Sequence, residues 1–132
     1  MQDIRKARKY AGITQQELAL AAGMSIKSLS LIESGKTQPT LVHWYTLQRL
    51  CRDGVGNAET CQYRFNGEAL YTLRTNNGIS QKMLEKELLL PATITSAWET
   101  GKKIPSVNAF GKLCVYFGVS PDYFFIRIDG CE

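Results

Sequence analysis

The chain has 132 residues, 44% hydrophobic and 21% charged, with a formal net charge of +4, proportions that exclude a disordered or fibrous protein. No apolar run approaches the roughly 18 residues of a membrane span, and the start MQDIRKARKY is basic with no apolar core behind it, so neither a membrane helix nor a signal peptide is expected. The positive excess is confined to one half, with nine Lys/Arg against five Asp/Glu in residues 1–66 and seven of each in residues 67–132.

In chain order, residues 2–11 are predicted helical, with Ile4 and Ala7 facing inward and the basic residues outward. Gly12 closes this helix as a left-handed cap would. Thr14 opens the capping box TQQE, in which Thr14 caps and Glu17 reaches back. Leu18, Ala19 and Ala22 form the apolar face of the second helix, and Gly23 stands where a tight turn needs a positive φ. Ser25 caps a third helix with Leu29 and Ile32 inside, ended by Gly35. Pro39-Thr40 stops and restarts the chain, and Leu41, Trp44, Tyr45 and Leu47 face inward on a fourth helix. The stretch 53–67, DGVGNAETCQYRFNG, reads as a linker from its glycines and polar residues. Its Val55, Tyr63 and Phe65 are apolar enough to pack.

The chain then repeats itself. Shifted by 66 residues, positions 4–47 align with 70–113 without a gap, and eleven of the 44 pairs are identical. They include Arg8/Arg74, Gly12/Gly78, Gln15/Gln81, Leu18/Leu84, Glu33/Glu99, Gly35/Gly101, Lys36/Lys102 and Pro39/Pro105. Thr14/Ser80, Thr40/Ser106 and Trp44/Phe110 keep their chemistry. Two copies make a duplicated domain rather than a solenoid.

Chemistry of other kinds finds little support. Cys51, Cys61, Cys114 and Cys131 form no C-x-x-C pair, and His43 is the single histidine. A structural zinc site lacks its usual spacings, which leaves free, packed thiols or a redox-sensing thiol. No Gly-rich phosphate loop, metal-ligand cluster or nucleophile with a nearby base is present, so no cofactor, metal or enzymatic activity is expected. The aromatic stacking motifs of common RNA-binding modules are also missing.

Two short helices joined by a tight turn in a small helical bundle form a helix-turn-helix. The stretch GITQQELALAAGMSIKSLSLIESGKTQP resembles the Cro/repressor (Xre-type) helix-turn-helix family of phage and bacterial transcriptional regulators. The second copy, GISQKMLEKELLLPATITSAWETGKKIP, resembles it less closely, and its ending GVSPDYFF resembles the short helix that closes the family's bundle. The resemblance implies an all-α protein of two tandem lambda-repressor-like bundles of four to five helices each. The first domain would span 1–52, the linker 53–67 and the second domain 68–132.

What the resemblance implies about sites follows position by position. The third helix, within 25–34, enters the major groove. Ser25, Ile26, Lys27, Ser28 and, one turn on, Leu31 match base-contacting positions. Lys27 can donate to guanine O6 and N7, and Ile26 can meet a thymine methyl. Gln15, Ser34, Lys36 and Thr37 match positions that touch the DNA backbone. Arg8 with Glu33, and Arg74 with Glu99, match a structural ion pair between the first helix and the end of the third.

The second copy departs from the pattern. Ala19 becomes Glu85, Gly23 becomes Leu89, and Glu17 becomes Met83. Pro91, Ala92, Thr93, Ile94 and Ala97 stand on its candidate recognition helix, a surface with no positive charge. Gln81, Ala92, Thr93, Lys102 and Lys103 are its candidate DNA contacts. Three readings stand for this copy: auxiliary reading of A·T-rich DNA, dimerisation or partner binding, and support of the first fold. The expected partner is double-stranded DNA, with a homodimer and a protein partner through the second copy as further expectations. The expected place is the cytoplasm, at the nucleoid, with no membrane. The function implied is a transcriptional regulator acting as a repressor, and its rival is a protein-interaction module such as an antitoxin-like partner or accessory regulator.

Overall fold

A computed structural model describes residues 3–55 and 63–128. The chain forms two compact units, one built on the residues up to Tyr63 together with Arg127 and Ile128, and the other on Arg64–Ile126.

The first unit holds four helices, α1 (Ile4–Tyr10), α2 (Gln15–Ala22), α3 (Ile26–Glu33) and α4 (Leu41–Asp53). Each starts on a side-chain cap that satisfies backbone N–H groups lacking a helical partner. Asp3 accepts from the N–H of Arg5, and Thr40 from that of His43. Thr14 and Glu17 complete the reciprocal capping box at 3.1 Å in both directions. Between α2 and α3 the chain turns at Gly23, whose φ of +72° lies in the left-handed region. Leu18, Leu29 and Leu47 are fully buried at the centre, with Leu41, Trp44, Tyr45 and Leu50 from α4 around them. α4 packs on α1 and α2, while α3 packs on α2. One face of α3 therefore remains open to solvent.

The second unit repeats this plan with α5 (Gly67–Asn76), α6 (Gln81–Leu88), α7 (Ile94–Glu99) and α8 (Val107–Phe117), followed by a 3-10 turn at Pro121–Phe124. Asn66, Ser80 and Ser106 cap α5, α6 and α8. The helical expectation needs one addition, a two-stranded sheet of β1 (Tyr63–Phe65) and β2 (Phe125–Arg127). Alternating burial along Tyr63-Arg64-Phe65 suits a strand with one covered face. Phe65 stacks on Phe124 with centroids 5.9 Å apart, and Phe110 meets Phe124 edge to face at 5.4 Å. Such offset and edge-on pairs are the favoured aromatic geometries. These rings join Leu70, Leu84, Trp98 and Leu113 in the core. The residues read as linker, 53–67, thus end in a strand and a helix start, while 56–62 lie outside the described residues. The apolar stretch 123–128 divides, since Phe124 is buried and Tyr123 and Ile128 are exposed.

Among the described residues, no helix is long and apolar enough to cross a membrane. No group of three or more His, Cys, Asp or Glu among them is placed to hold a metal ion.

Candidate nucleic-acid interface

Each unit is braced by the same network of three side chains. In the first, Arg8 Nε donates to Glu33 Oε2 at 2.7 Å and its Nη2 to Oε1 at 3.1 Å. Its Nη1 donates to the carbonyl of Ile13 at 2.9 Å, and Gln15 Nε2 donates to Glu33 Oε1 at 3.0 Å. This geometry ties α1, the start of α2 and the end of α3 to one carboxylate. Burial opposes ionisation of Glu33, yet the hydrogen bonds from Arg8 and Gln15 outweigh it and hold the carboxyl below its usual range. The second unit reproduces the arrangement with Arg74, Glu99, Ile79 and Gln81 at the same distances. In the first unit Arg5 also approaches Glu33, at 3.6 Å. The fork geometry of the guanidinium makes the pairs bidentate and directional. A helix so fixed at its far end presents its first turn in one orientation.

The first turn of α3 is where the residues assigned to base contact lie. Ser25, Ile26, Lys27 and Ser28 are all exposed, and Leu31 is half-buried on the next turn. Ser25 Oγ accepts the N–H of Ser28 and donates to Ser28 Oγ, both at 3.0 Å. The serine pair therefore holds the turn while Lys27 projects free of it. Beyond the helix, Ser34, Lys36 and Thr37 are exposed. Ser34 Oγ donates to the carbonyl of Leu31 at 3.1 Å, and the N–H groups of Lys36 and Thr37 converge on that same carbonyl. Gln15 is half-buried, with one amide hydrogen on Glu33. An exposed, hydrogen-bond-rich helix start followed by a basic turn can meet base edges and phosphates together.

The second unit differs at the corresponding place. Ala92 and Thr93 do not stand on the recognition helix as the register suggests. α7 begins only at Ile94, and Pro91, Ala92 and Thr93 form an exposed turn ahead of it, with Thr93 at φ +67°. The turn glycine's replacement, Leu89, keeps the left-handed conformation at φ +56°. The helix is shorter because its start has a different cap. Glu85, buried in the place of Ala19, accepts the N–H of Thr95 at 2.9 Å through Oε2. In the sequence Glu85 stands out only as a departure from the small residue of the first copy. The available signal was double, since an acid appears on α6 where the cap serine of α7 is lost to Pro91. Lys102 and Lys103 are exposed after α7, and Gln81 is half-buried.

The described cysteines carry no activated thiol. Burial pushes both Cys51 and Cys114 up to about 11, so their thiols stay protonated and poorly nucleophilic at neutral pH. Cys61 and Cys131 lie outside the described residues.

Comparison with known proteins agrees with the duplicated architecture. Residues 4–52 match a family model described as helix-turn-helix. Residues 67–129 match another, described as helix-turn-helix domain. No curated protein and no solved structure matches the chain.

Proposed function

Each half of this chain belongs to a helix-turn-helix family of the Cro/repressor (Xre) type, and from that premise we propose that the protein is a transcriptional repressor reading a short duplex operator through α3. Domains of this type bind DNA in transcription regulation. The observation that carries the finer reading is the exposed first turn of α3, with Ser25, Ile26, Lys27 and Ser28 open to solvent on a helix braced at its other end by Arg8, Glu33 and Gln15. Lys27 donates to guanine O6 and N7, Ile26 packs on a thymine methyl, and the serines and Leu31 complete the base contacts. Lys36 and Thr37 meet phosphates, with Ser34 and the second amide hydrogen of Gln15 beside them. The first domain runs 1–52, and the second begins ahead of residue 68, because Phe65 and the start of α5 at Gly67 already pack in it. The protein works at the nucleoid in the cytoplasm, as a homodimer whose two first units occupy half-sites about one helical turn apart.

The test is Lys27→Ala, measured by anisotropy on cognate and random duplexes across a salt series. Cognate affinity falls by about 1–3 kcal/mol while random binding is little changed. Equal losses on both duplexes would make Lys27 a phosphate contact instead.

A second reading, a protein-interaction module such as an antitoxin-like partner or accessory regulator, is favoured by the apolar exposure of the second unit. Leu89 is 86% exposed and Val115 84%, and apolar side chains left in water are what a partner surface would cover. The two readings combine if the second unit dimerises or holds a partner while the first holds DNA.

A further inference from the structure

In the first unit, α3 is capped by Ser25, directly ahead of it, and Lys27 lies on its first turn. In the second unit every part of that arrangement has changed. Pro91 stands in the register of Ser25 and offers no acceptor side chain. Thr93 stands in the register of Lys27, and as the N-cap residue of α7 it makes no capping hydrogen bond. The acceptor comes from α6 instead, where Glu85 is buried and receives the N–H of Thr95, the second residue of α7. Burial alone would favour the neutral acid, but the hydrogen bond from the N–H of Thr95 holds the carboxyl below its usual range. Glu85 is therefore an anion at neutral pH.

An anion at a helix N-terminus is favourable for the helix. It is unfavourable for DNA. The start of α7 is the end that corresponds to the exposed turn of α3, and a helix start that enters the groove lies between the phosphates of both strands. A buried carboxylate is screened by salt far less than an exposed one. No positive side chain stands with it on the turn 91–93. Residues 67–132 carry as many acidic as basic residues, so no general attraction offsets it. Resting on the DNA-binding reading of the first unit, we propose that Glu85 closes the second unit to DNA: it caps α7 from inside the fold and holds a negative charge at the turn that would have docked. The second unit does not touch the duplex, and Lys102 and Lys103 carry no phosphate contact.

The experiment is anisotropy with the full chain on cognate and random duplexes, from low to moderate salt. Four proteins are compared: wild type, Glu85→Gln, the exposed double variant Lys102→Glu/Lys103→Glu, and the combination of all three changes. Glutamine keeps an acceptor for Thr95 and removes the charge. Thermal melts check that every variant folds. Glu85→Gln is expected to bind random duplex about threefold or more tighter and to steepen the salt dependence by about one phosphate contact. The lysine variant is expected to bind as wild type does, within about twofold, and to abolish the gain when combined with Glu85→Gln. A folded Glu85→Gln variant with unchanged affinity and salt slope overturns the proposal. A loss of affinity from the lysine changes in the wild-type background overturns it equally. Failure of the DNA-binding reading looks different: wild type then binds no duplex, and Lys36→Glu changes nothing.

Discussion

Arg8 and Arg74 each join three parts of a unit through one side chain. The guanidinium holds a carboxylate 25 residues along the chain and a carbonyl five residues along. With 11% side-chain exposure for Arg8 and none for Glu33, removing one partner strands the other in a poorly hydrated place. Arg8→Ala is expected to lower stability by about 3 kcal/mol in urea unfolding. A loss below about 1 kcal/mol would mean that water reaches the pair and screens it. Leu89 gives the opposite case. It holds a left-handed φ of +56° with its side chain in solvent, a conformation that costs a residue with a Cβ about 1–2 kcal/mol. Leu89→Gly relieves that cost, loses little burial, and returns part of the gain through the greater freedom of unfolded glycine. A net rise of about 0.5–1 kcal/mol is expected. A decrease would show that Leu89 is covered in solution, for instance by a second copy of the chain.

Among the elements, α3 and α7 show how one frame takes two forms. α3 runs for eight residues from a local serine cap, whereas α7 runs for six from a cap carried on α6. Both end on a bidentate ion pair, so the difference is confined to their first turns. The entry to α5 is constrained as well. A Cβ at Gly67 would collide with the carbonyl oxygens of Trp98 and Glu99 at the end of α7. Because both obstacles are backbone, Gly67→Ala must push α5 from α7, at an expected cost of about 1–3 kcal/mol. Thermal melts read this directly, and an unchanged melting temperature would mean that the two helix ends separate freely. In sequence, Gly67 looked like one more linker glycine. Nothing within a few residues of it announces a carbonyl 31 positions away.

For the whole molecule, acid is the common stress. Glu17, Glu33, Asp53 and Glu85 all have carboxyls held below their ordinary range. A depressed folded value means that the unfolded chain takes up protons first as pH falls. The stabilisation is therefore complete above the unfolded values of about 4–4.5 and is lost as pH drops through the folded ones. The urea midpoint is expected to stay level from pH 7 to about 5 and to fall between about 4 and 2. Glu33→Gln is expected to lower the midpoint at pH 7 and to flatten the acid limb. A midpoint that holds constant down to pH 2.5 would contradict these assignments.

The sequence by itself determined what depends on near neighbours. Caps at Thr14, Ser25 and Thr40, the left-handed turn at Gly23 and the inward faces of α2 and α4 each involve a few adjacent residues, whose chemistry allows few alternatives. The duplication was equally legible, since register is a property of the string. Family resemblance added the pairing of Arg8 with Glu33, which spacing alone does not give. Only the tertiary structure decided how Glu85 is used, why Gly67 has no side chain, and where one amide hydrogen of Gln15 goes. It also decided that the residues before α5 pair with those after the 3-10 turn. Each of these rests on atoms brought within about 3 Å by the packing of separate elements, and the strength of a hydrogen bond or a clash changes over tenths of an ångström. A residue's type announces what it can bond, and the fold decides which partner is close enough. That is why two copies of one frame are plain in the sequence, while the cap that distinguishes their reading ends is not.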